Sequence, residues 1–348
     1  MAGSEAGHGE DEGSIRIISI RNGSGGQPRH TSHAIFRYNP AMDEFGIIAR
    51  YFAPLAGAGA FGLKDDAALL PVRAGQDLVV TTDAISEGVD FFAFDPPGAI
   101  AQKALRVNLS DLAAKGAQPA HYLLNFTLPR SVTPAWLSGF ADGLARDQDM
   151  FGISLLGGDT GAGEGPLSIA ITAFGFVPQG KMVKRSGARI GDAVYVTGSI
   201  GDSGGGLAIF RREKHTLAET DRDFLTRRYR VPEPPVFFAE ALRAVAHASV
   251  DISDGLIADL GHIASASGVR IVIEGERVPL SEPLRALWGD DVLTRAVIAG
   301  DDYQIAFTAP EGLTGPFTQI GRVEKGERVG LTIAGKDVAI SKPGFRHF

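Results

Sequence analysis

An alternation of strand-like and helix-like apolar runs, from about residue 43 to the C-terminus, restricts the fold of this chain more than any other feature. Residues 98–115 and the run PAWLSGFADGLARDQ carry apolar side chains at helical spacing. Between such helices, strands are predicted for DLVVTTDA, HYLLNFTLP, ISLLGGDT and LSIAITAFGFV. The alternation predicts a mixed α/β fold, without short-period repeats.

A turn-rich stretch, KRSGARIGD, divides the chain into two halves that both read as mixed α and β. We place a domain boundary there, between residues 43–184 and 185–348. The second half restarts with the strand AVYVTG and continues through SIGDSGGGLAIF, SVDISDGLIADLGHIASASG, VRIVIE and AGDDYQIAFTAP. Residues 1–42 are mostly polar and glycine-rich and are predicted to be a disordered extension. The next run, DEFGIIARYFAPL, predicts a first helix with Asp43 as its N-cap.

Composition excludes several classes of function. The net charge of −7 over 348 residues argues against a nucleic-acid surface, which would be basic. No apolar run is long enough to span a membrane, and the N-terminus lacks the pattern of a secretory signal, so a cytoplasmic location is expected. Cysteine is absent, which removes disulfides, thiolate zinc sites, iron–sulfur clusters and cysteine nucleophiles.

Two glycine-rich stretches imitate known motifs. GAGAFG, residues 57–62, matches a dinucleotide fingerprint, but a helix precedes it and a predicted strand, DDAALLPV, follows it, which is the wrong context. GDSGG, residues 201–205, matches the nucleophile elbow of serine hydrolases, with Ser203 followed by Asp254 and His262 in the required order. A hydrolase is therefore an alternative, although a helix-capping or turn role for the Ser203 hydroxyl is preferred.

Aspartates that adjoin apolar runs, with Gly, Ser or Thr close by, are the strongest functional signal. One of them, Asp111, stands inside the predicted amphipathic helix KALRVNLSDLAAKGAQP. The others are Asp65, Asp66, Asp83, Asp159, Asp251, Asp254, Asp301 and Asp302. Each alone is typical of a cap or turn, but helix capping does not require so many acids next to core strands. Few Lys or Arg residues lie in these stretches, and buried carboxylates are costly unless they are paired or bind metal. Oxygen ligands favour Mg²⁺, Mn²⁺ or Ca²⁺, and Mg²⁺ with glycine-rich turns indicates a polyphosphate substrate.

Taken together, these stretches resemble the thiamine-monophosphate kinase family, of the aminoimidazole ribonucleotide synthetase-like superfamily, from about Asp43 to Phe348. The segments that carry the resemblance occur in family order: EFGIIARYF, DDAALL, TTDAISEGVDF, KALRVNLSDLAAKGAQP, LLGGDT, KRSGARIGDAVYVTGSIGDSGGGLAI, DISDGLIADLGHI, GDDYQIAFT and GFRHF. The resemblance implies two mixed α/β domains. The sheet of the N-terminal domain would form a dimer barrel, so the expected assembly is a homodimer.

The resemblance also implies an activity, the transfer of the γ-phosphoryl group of ATP to thiamine monophosphate, and a role for each matching residue. The N-terminal domain would bind metal and ATP, and the C-terminal domain would complete the nucleotide and substrate site. Arg185 and Asp111 would be catalytic. Mg²⁺ would be held by Asp66, Thr81, Thr82, Asp83, Asp111, Asp159, Asp251 and Asp254. ATP would contact Gly158, Asp159, Arg185 and Ser253, and thiamine would contact Asp90, Asp301 and Phe345.

Three departures from the family pattern bear on these expectations. Lys64 stands where the family has Gly, Asp90 stands where many members have His, and AGDDYQI replaces GGEDYEL. The second touches a presumed substrate contact and bears on substrate geometry more than on the chemistry, and the third shortens a carboxylate by one methylene at Asp301. Other ATP-dependent enzymes of the superfamily, and a sensor on the same scaffold, remain alternatives. A phosphate oxygen as nucleophile implies that no side chain acts as an essential general base.

Overall fold

The structure, a computed structural model, describes residues 44–213, 215–340 and 344–345. The predicted extension over residues 1–42 and the predicted N-cap Asp43 lie outside the described residues. The first run is helical, as predicted, but it changes type along its length. It begins as α1 (Glu44–Ile47), continues as a π-helical turn (Ile48–Phe52) and ends as a 3₁₀ turn (Ala53–Leu55) that contains Pro54.

The first half of the described chain forms a four-stranded sheet in the order β1-β4-β2-β3. Its strands are β1 (Gln76–Ser86), β2 (Gln118–Pro129), β3 (Ser154–Gly163) and β4 (Ser168–Pro178). The pair β2/β3 is parallel, and the other neighbours are antiparallel. Two long helices, α2 (Pro97–Ala114) and α3 (Pro134–Phe151), cover one face of the sheet and share a hydrophobic core with it.

A strand predicted over DDAALLPV is wrong. GAGAFG folds as a 3₁₀ turn (Ala58–Leu63), and residues 64–75 then run to β1 as mostly exposed irregular chain. The apolar run contains Pro71, which lacks a backbone donor, and among the described residues no strand pairs with it. Leu69 and Val72 are consequently exposed.

The second half forms a seven-stranded sheet in the order β11-β10-β7-β9-β5-β8-β6. Its strands are β5 (Ala193–Thr197), β6 (Ala248–Asp251), β7 (Arg270–Glu274), β8 (Ile305–Ala309), β9 (Phe317–Glu324), β10 (Val329–Ile333) and β11 (Lys336–Val338). Its helices are α4 (Asp202–Phe210), α5 (Glu219–Arg230), α6 (Ala239–Val245), α7 (Leu256–Ser267), α8 (Glu282–Trp288) and α9 (Val292–Ala296). Both sheets combine parallel and antiparallel pairs, which confirms the predicted α/β class with mixed sheets.

Helix α2 is central to the fold because it packs between the two sheets. One side contacts β1 and β4, and another contacts β6 and β8 of the second sheet. The polar residues Lys103, Arg106, Asn108 and Ser110 are all buried. The prediction of an amphipathic helix is wrong in this respect, because the second sheet, α3 and the loops around them cover the sides that would otherwise face water.

In the described ranges, no helix is both long and apolar enough to cross a membrane.

Candidate active site

A cleft of about 610 Å³ lies where β1, α2 and the loops around β6 and β8 meet. Nine of the residues expected at the site line it: Asp83, Asp90, Asp111, Arg185, Asp251, Ser253, Asp254, Asp301 and Phe345. They come from both halves of the chain, so the fold brings together acids that are up to about 200 positions apart in the sequence.

Regular spacing on β1 and α2 positions the first two acids. Thr81 and Asp83 alternate to the same face of β1, and Asn108 and Asp111 are three residues apart on α2, hence on one side of the helix. The Asp83 N–H donates to Asn108 Oδ1 over 3.0 Å, and the Thr81 hydroxyl donates to Asp111 Oδ2 over 2.5 Å. The helix thus fixes the backbone at Asp83, and the strand fixes the carboxylate of Asp111 at the cleft.

Asp251, the last residue of β6, approaches the same helix from the second sheet. The Ser110 hydroxyl donates to Asp251 Oδ2 over 2.9 Å, and both residues are buried. Lys115 donates to the Ser249 carbonyl over 2.9 Å, close enough to Asp251 for their charges to interact. Burial, together with Arg185, outweighs that attraction and lowers the pKa of Lys115 to about 8.

Burial and mutual repulsion dominate the electrostatics of the acids. The pKa of Asp83 is raised to about 6, chiefly by burial and then by the charges of Asp111, Asp90 and Asp254. The pKa of Asp251 is raised well above its ordinary value by burial and by Asp111. Carboxylates that raise one another's pKa form a site whose charged state needs a cation.

Asp259 organises the loop that carries Ser253 and Asp254. Its Oδ2 accepts the backbone N–H groups of Ser253, Asp254 and Gly255, each over 3.0 Å. Gly255 has a φ of +123°, which favours glycine at this position. Burial and Asp254 nevertheless raise the pKa of Asp259 to about 7.

The two adjacent acids before β8 have different surroundings. Asp301 lines the cleft and forms an ion pair with Lys103, with Nζ 3.0 Å from Oδ2. Asp302 is buried beside α4, where it accepts the N–H groups of Gly201 and Ser203. The inference from composition that basic partners are too few is wrong for Asp301. The sequence analysis does not identify Lys103 or Asp259 as important to the site. Each is a charged residue within an apolar helical run, and this pattern could have indicated them.

Four expected ligands do not reach this cleft within one chain. Asp66 is exposed in the loop before β1, with its N–H donating to Asp65. Thr82 points to the other face of β1, and its hydroxyl donates to the Ile171 carbonyl. Gly158 pairs with Leu124, and the register Asp83–Ile171–Leu124–Gly158 separates it from Asp83 by three strand spacings, roughly 14 Å.

Asp159 lies on the face of the four-stranded sheet that is turned away from α2 and α3. It pairs with exposed Asn125, whereas the flanking β2 residues Leu124 and Phe126 point into the core. Position 158 requires glycine, because a Cβ there would overlap the Leu124 carbonyl oxygen. The close packing of β3 against β2 at Gly158 thus precedes an exposed carboxylate, that of Asp159, on the outward face.

The serine hydrolase alternative is wrong on this geometry. Within the described part of the chain, the buried Ser203 hydroxyl has no hydrogen-bond partner, so no histidine activates it. Nor does this hydroxyl cap α4, because the Asp302 carboxylate accepts the N–H groups at that helix start.

Two family models match the chain: the N-terminal domain of AIR synthase related proteins over residues 64–177 and the C-terminal domain over residues 189–334. The chain is similar to the thiamine-monophosphate kinase of Salmonella typhimurium, with 39% identity over 324 residues that cover 88% of this chain and 99% of the relative. For the thiamine-monophosphate kinase of Caulobacter vibrioides, identity is 43% and the coverage is 87% and 90%. A solved structure, AaThiL complexed with AMPPCP and TMP, matches with a TM-score of 0.73 and 33% identity, over 90% of this chain and all of that one.

Proposed function

This chain belongs to the thiamine-monophosphate kinases, within the AIR synthase related proteins, and we propose that the cleft at α2 is its active site. The reaction is the ATP-dependent phosphorylation of thiamine monophosphate to thiamine diphosphate. The observation that carries the proposal is the convergence of four carboxylates, Asp83, Asp111, Asp251 and Asp254, on one cleft between the two sheets.

The four carboxylates fit a divalent metal. Their donor atoms are all oxygen, which suits a hard cation such as Mg²⁺. Their negative charges repel, which raises the pKa of Asp83 and of Asp251. We assign Mg²⁺ binding to these four residues, with Thr81 orienting Asp111. When bound, the metal supplies positive charge that offsets the repulsion between the two polyphosphate substrates.

The side chains of this protein then have to bind the two substrates and align their phosphate groups, and no side chain has to accept a proton. The nucleophile is a phosphate oxygen of thiamine monophosphate, and with a second pKa of about 6 this group is largely ionised at neutral pH. Arg185 lines the cleft beside the acids and is assigned to the transferred phosphoryl group, and Ser253 to ATP. Asp90, Asp301 and Phe345 are assigned to the thiamine rings.

Asp159, with Gly158, reaches a cleft only through a second copy of the chain. The outward face of the four-stranded sheet carries Asp159 and Thr82, together with the exposed apolar side chains of Leu78 and Val80. Covering such apolar residues favours association. We propose a homodimer in which these two faces close a barrel and Asp159 of one copy serves the cleft of the other; Asp66 is assigned to the same shared site.

Further predictions from the sequence remain part of this proposal: a domain division at residues 184–185, and a cytoplasmic location. The first sheet ends at Pro178 and the second begins at Ala193, which supports a division in the segment between them.

The test is product formation from ATP, Mg²⁺ and thiamine monophosphate, followed by chromatography for thiamine diphosphate. Asp111→Asn should fold but lose nearly all turnover, and its melting temperature without metal should be equal or higher, because one charge leaves a repelling cluster. Asp142→Asn, an exposed change on α3, is the matched control and should keep full turnover. Near-normal turnover by Asp111→Asn with unchanged Mg²⁺ dependence would contradict the assignment.

A further inference from the structure

Lys103 has an unusual environment for a lysine, because its side chain is only 1% exposed. Its ammonium group has three neighbours: Asp301 Oδ2 at 3.0 Å, the Asp90 carbonyl oxygen at 2.7 Å and the centre of the Tyr229 ring at 3.9 Å. A buried charge is tolerated only when such partners replace water. Each of these partners belongs to a residue that lines the cleft, whereas Lys103 lies behind the cleft wall.

Two tyrosines complete the same network. The Tyr229 hydroxyl donates to the Asp90 carbonyl over 3.0 Å, and the Tyr303 hydroxyl donates to Asp301 Oδ1 over 3.1 Å. Burial raises the pKa of both hydroxyl groups, so both stay protonated and remain donors. Both carboxylate oxygens of Asp301 are thereby fixed, and each retains a lone pair for a further donor.

The backbone at Asp301 would not hold this orientation without support. Asp301 has a φ of +68° and Tyr303 a φ of +51°, conformations that non-glycine residues seldom adopt. Backbone bonds from Asp301 N–H to the Ser253 carbonyl and from Tyr303 N–H to the Ile252 carbonyl tie this segment to the loop after β6. Lys103, on α2, then fixes the direction of the Asp301 carboxylate relative to the four-stranded sheet.

We infer that Lys103 is a positioning residue for the acceptor substrate, acting through Asp301 and the backbone of Asp90. The inference rests on the proposed function, in which these two residues contact the thiamine rings. The aminopyrimidine ring of thiamine carries an amine that donates hydrogen bonds, and a carboxylate held by Lys103 and Tyr303 is a preorganised acceptor for it. The proposed function assigns ATP to other residues, Arg185 and Ser253, so we expect the effect of Lys103 to fall on the acceptor.

Lys103→Met, which keeps the length of the side chain and removes its charge, separates these effects. It should raise the KM for thiamine monophosphate about tenfold or more while the KM for ATP stays within about twofold. Lys103→Arg should lie between Lys103→Met and the wild type. Because Lys103 acts partly through the Asp301 carboxylate, adding Lys103→Met to Asp301→Asn should raise the acceptor KM by a smaller factor than Lys103→Met does in the wild type.

Arg106→Met is the matched control. Arg106 lies one turn along α2 and is also buried in an ion pair, with Asp147 at 2.8 Å, but it does not line the cleft. The Arg106→Met variant should have a lower melting temperature without a selective change in the KM for thiamine monophosphate. If Lys103→Met does not fold, the double variant Lys103→Met/Asp301→Asn, which removes both charges of the ion pair, is compared with Asp301→Asn instead.

The inference is overturned if Lys103→Met leaves the acceptor KM unchanged, if both KM values rise together, if its effect adds fully to that of Asp301→Asn, or if Arg106→Met gives the same selective change. Wild-type protein that forms no thiamine diphosphate would instead overturn the proposed function, so the two failures are distinguishable. Calorimetric binding of thiamine monophosphate and of AMPPCP to each variant provides a readout that does not depend on turnover.

Discussion

At the scale of single residues, the raised pKa of Asp83 links its protonation to metal binding. Its pKa is raised from 3.8 to about 6, so between these values the folded protein holds a proton that the unfolded chain has released. Without metal, this acid therefore lowers stability as the pH rises from about 4 to 6. A metal ion has to displace the same proton, which couples its affinity to pH.

We expect the apparent affinity for Mg²⁺ to be about tenfold lower at pH 5 than at pH 7, because Asp83 becomes ionised over this range. Melting temperatures measured across a Mg²⁺ titration at each pH give the affinity. Asp83→Asn should bind Mg²⁺ more weakly and lose this part of the pH dependence. An affinity for Mg²⁺ that is constant from pH 5 to 8 would show that Asp83 is not a ligand.

The histidines provide a second prediction at this scale. His121 Nδ1 lies 2.9 Å from the Ser154 hydroxyl, and burial together with Arg73 lowers the pKa of the ring. His262 lies on α7 and lines a neighbouring cavity of about 910 Å³ that shares Asp254 and Phe345 with the cleft, and its ring lies within 4.8 Å of the Asp254 carboxylate. Because the phosphate nucleophile is already largely ionised at neutral pH, we expect that His121→Asn and His262→Asn keep the acidic limb of the kcat/KM profile at saturating Mg²⁺. Loss of that limb, with a fall of orders of magnitude, would reveal a histidine base.

At the scale of elements, the loop after β6 depends on one carboxylate. Asp259 holds three successive N–H groups at the start of α7, so Ser253 and Asp254 keep their places only while Asp259 accepts these bonds. In Asp259→Asn the amide retains one acceptor oxygen but is neutral. We expect a fall in kcat/KM of about 10- to 100-fold, with a weaker apparent affinity for Mg²⁺.

Asp291→Asn is a suitable control for this change, because Asp291 is exposed in the turn before α9 and is far from α7 in the sequence. Steady-state kinetics and Mg²⁺ titration of both variants make the comparison. Unchanged kinetics in Asp259→Asn would mean that the backbone alone, with Gly255 in its left-handed conformation, holds the loop.

The sequence predicted the elements better than it predicted their surroundings. The strands of the first sheet and helices α2 and α3 follow the predicted runs, because local periodicity reports which side of an element is apolar. Periodicity does not report what covers the other side. Ser110 is buried against β6 of the second sheet, Asn108 against β1, and Lys103 beside Asp301 and Tyr229. From the sequence alone, a helix that carries such polar residues is indistinguishable from an amphipathic surface helix.

The candidate site shows the same limit. The aspartates of the cleft could be identified because acids next to apolar strands are unusual, but the sequence could not separate Asp301 from Asp302. One residue apart, they differ because Asp301 faces Lys103 and Asp302 faces the start of α4. Such partners are about 100 to 200 positions away in the chain, and only the assembled fold identifies them.

At the scale of the whole molecule, the cleft needs both sheets, and the outward face of the first sheet suggests that it also needs two chains. Asp111 lies at the cleft on α2, whereas Asp159 lies on the opposite face of the four-stranded sheet. If Asp159 serves the cleft of the other copy, each site of a dimer combines Asp111 from one chain with Asp159 from its partner.

Mixing two inactive variants tests this arrangement. Asp111→Asn and Asp159→Asn should each lose nearly all turnover as separate homodimers. After the two are unfolded together and refolded, half the dimers contain one chain of each kind, and in those one of the two sites has both carboxylates. We therefore expect recovery of about a quarter of wild-type activity. In a site built within one chain, every site of the mixed dimer would lack one carboxylate, so turnover that stays at the level of the separate variants would refute the shared site.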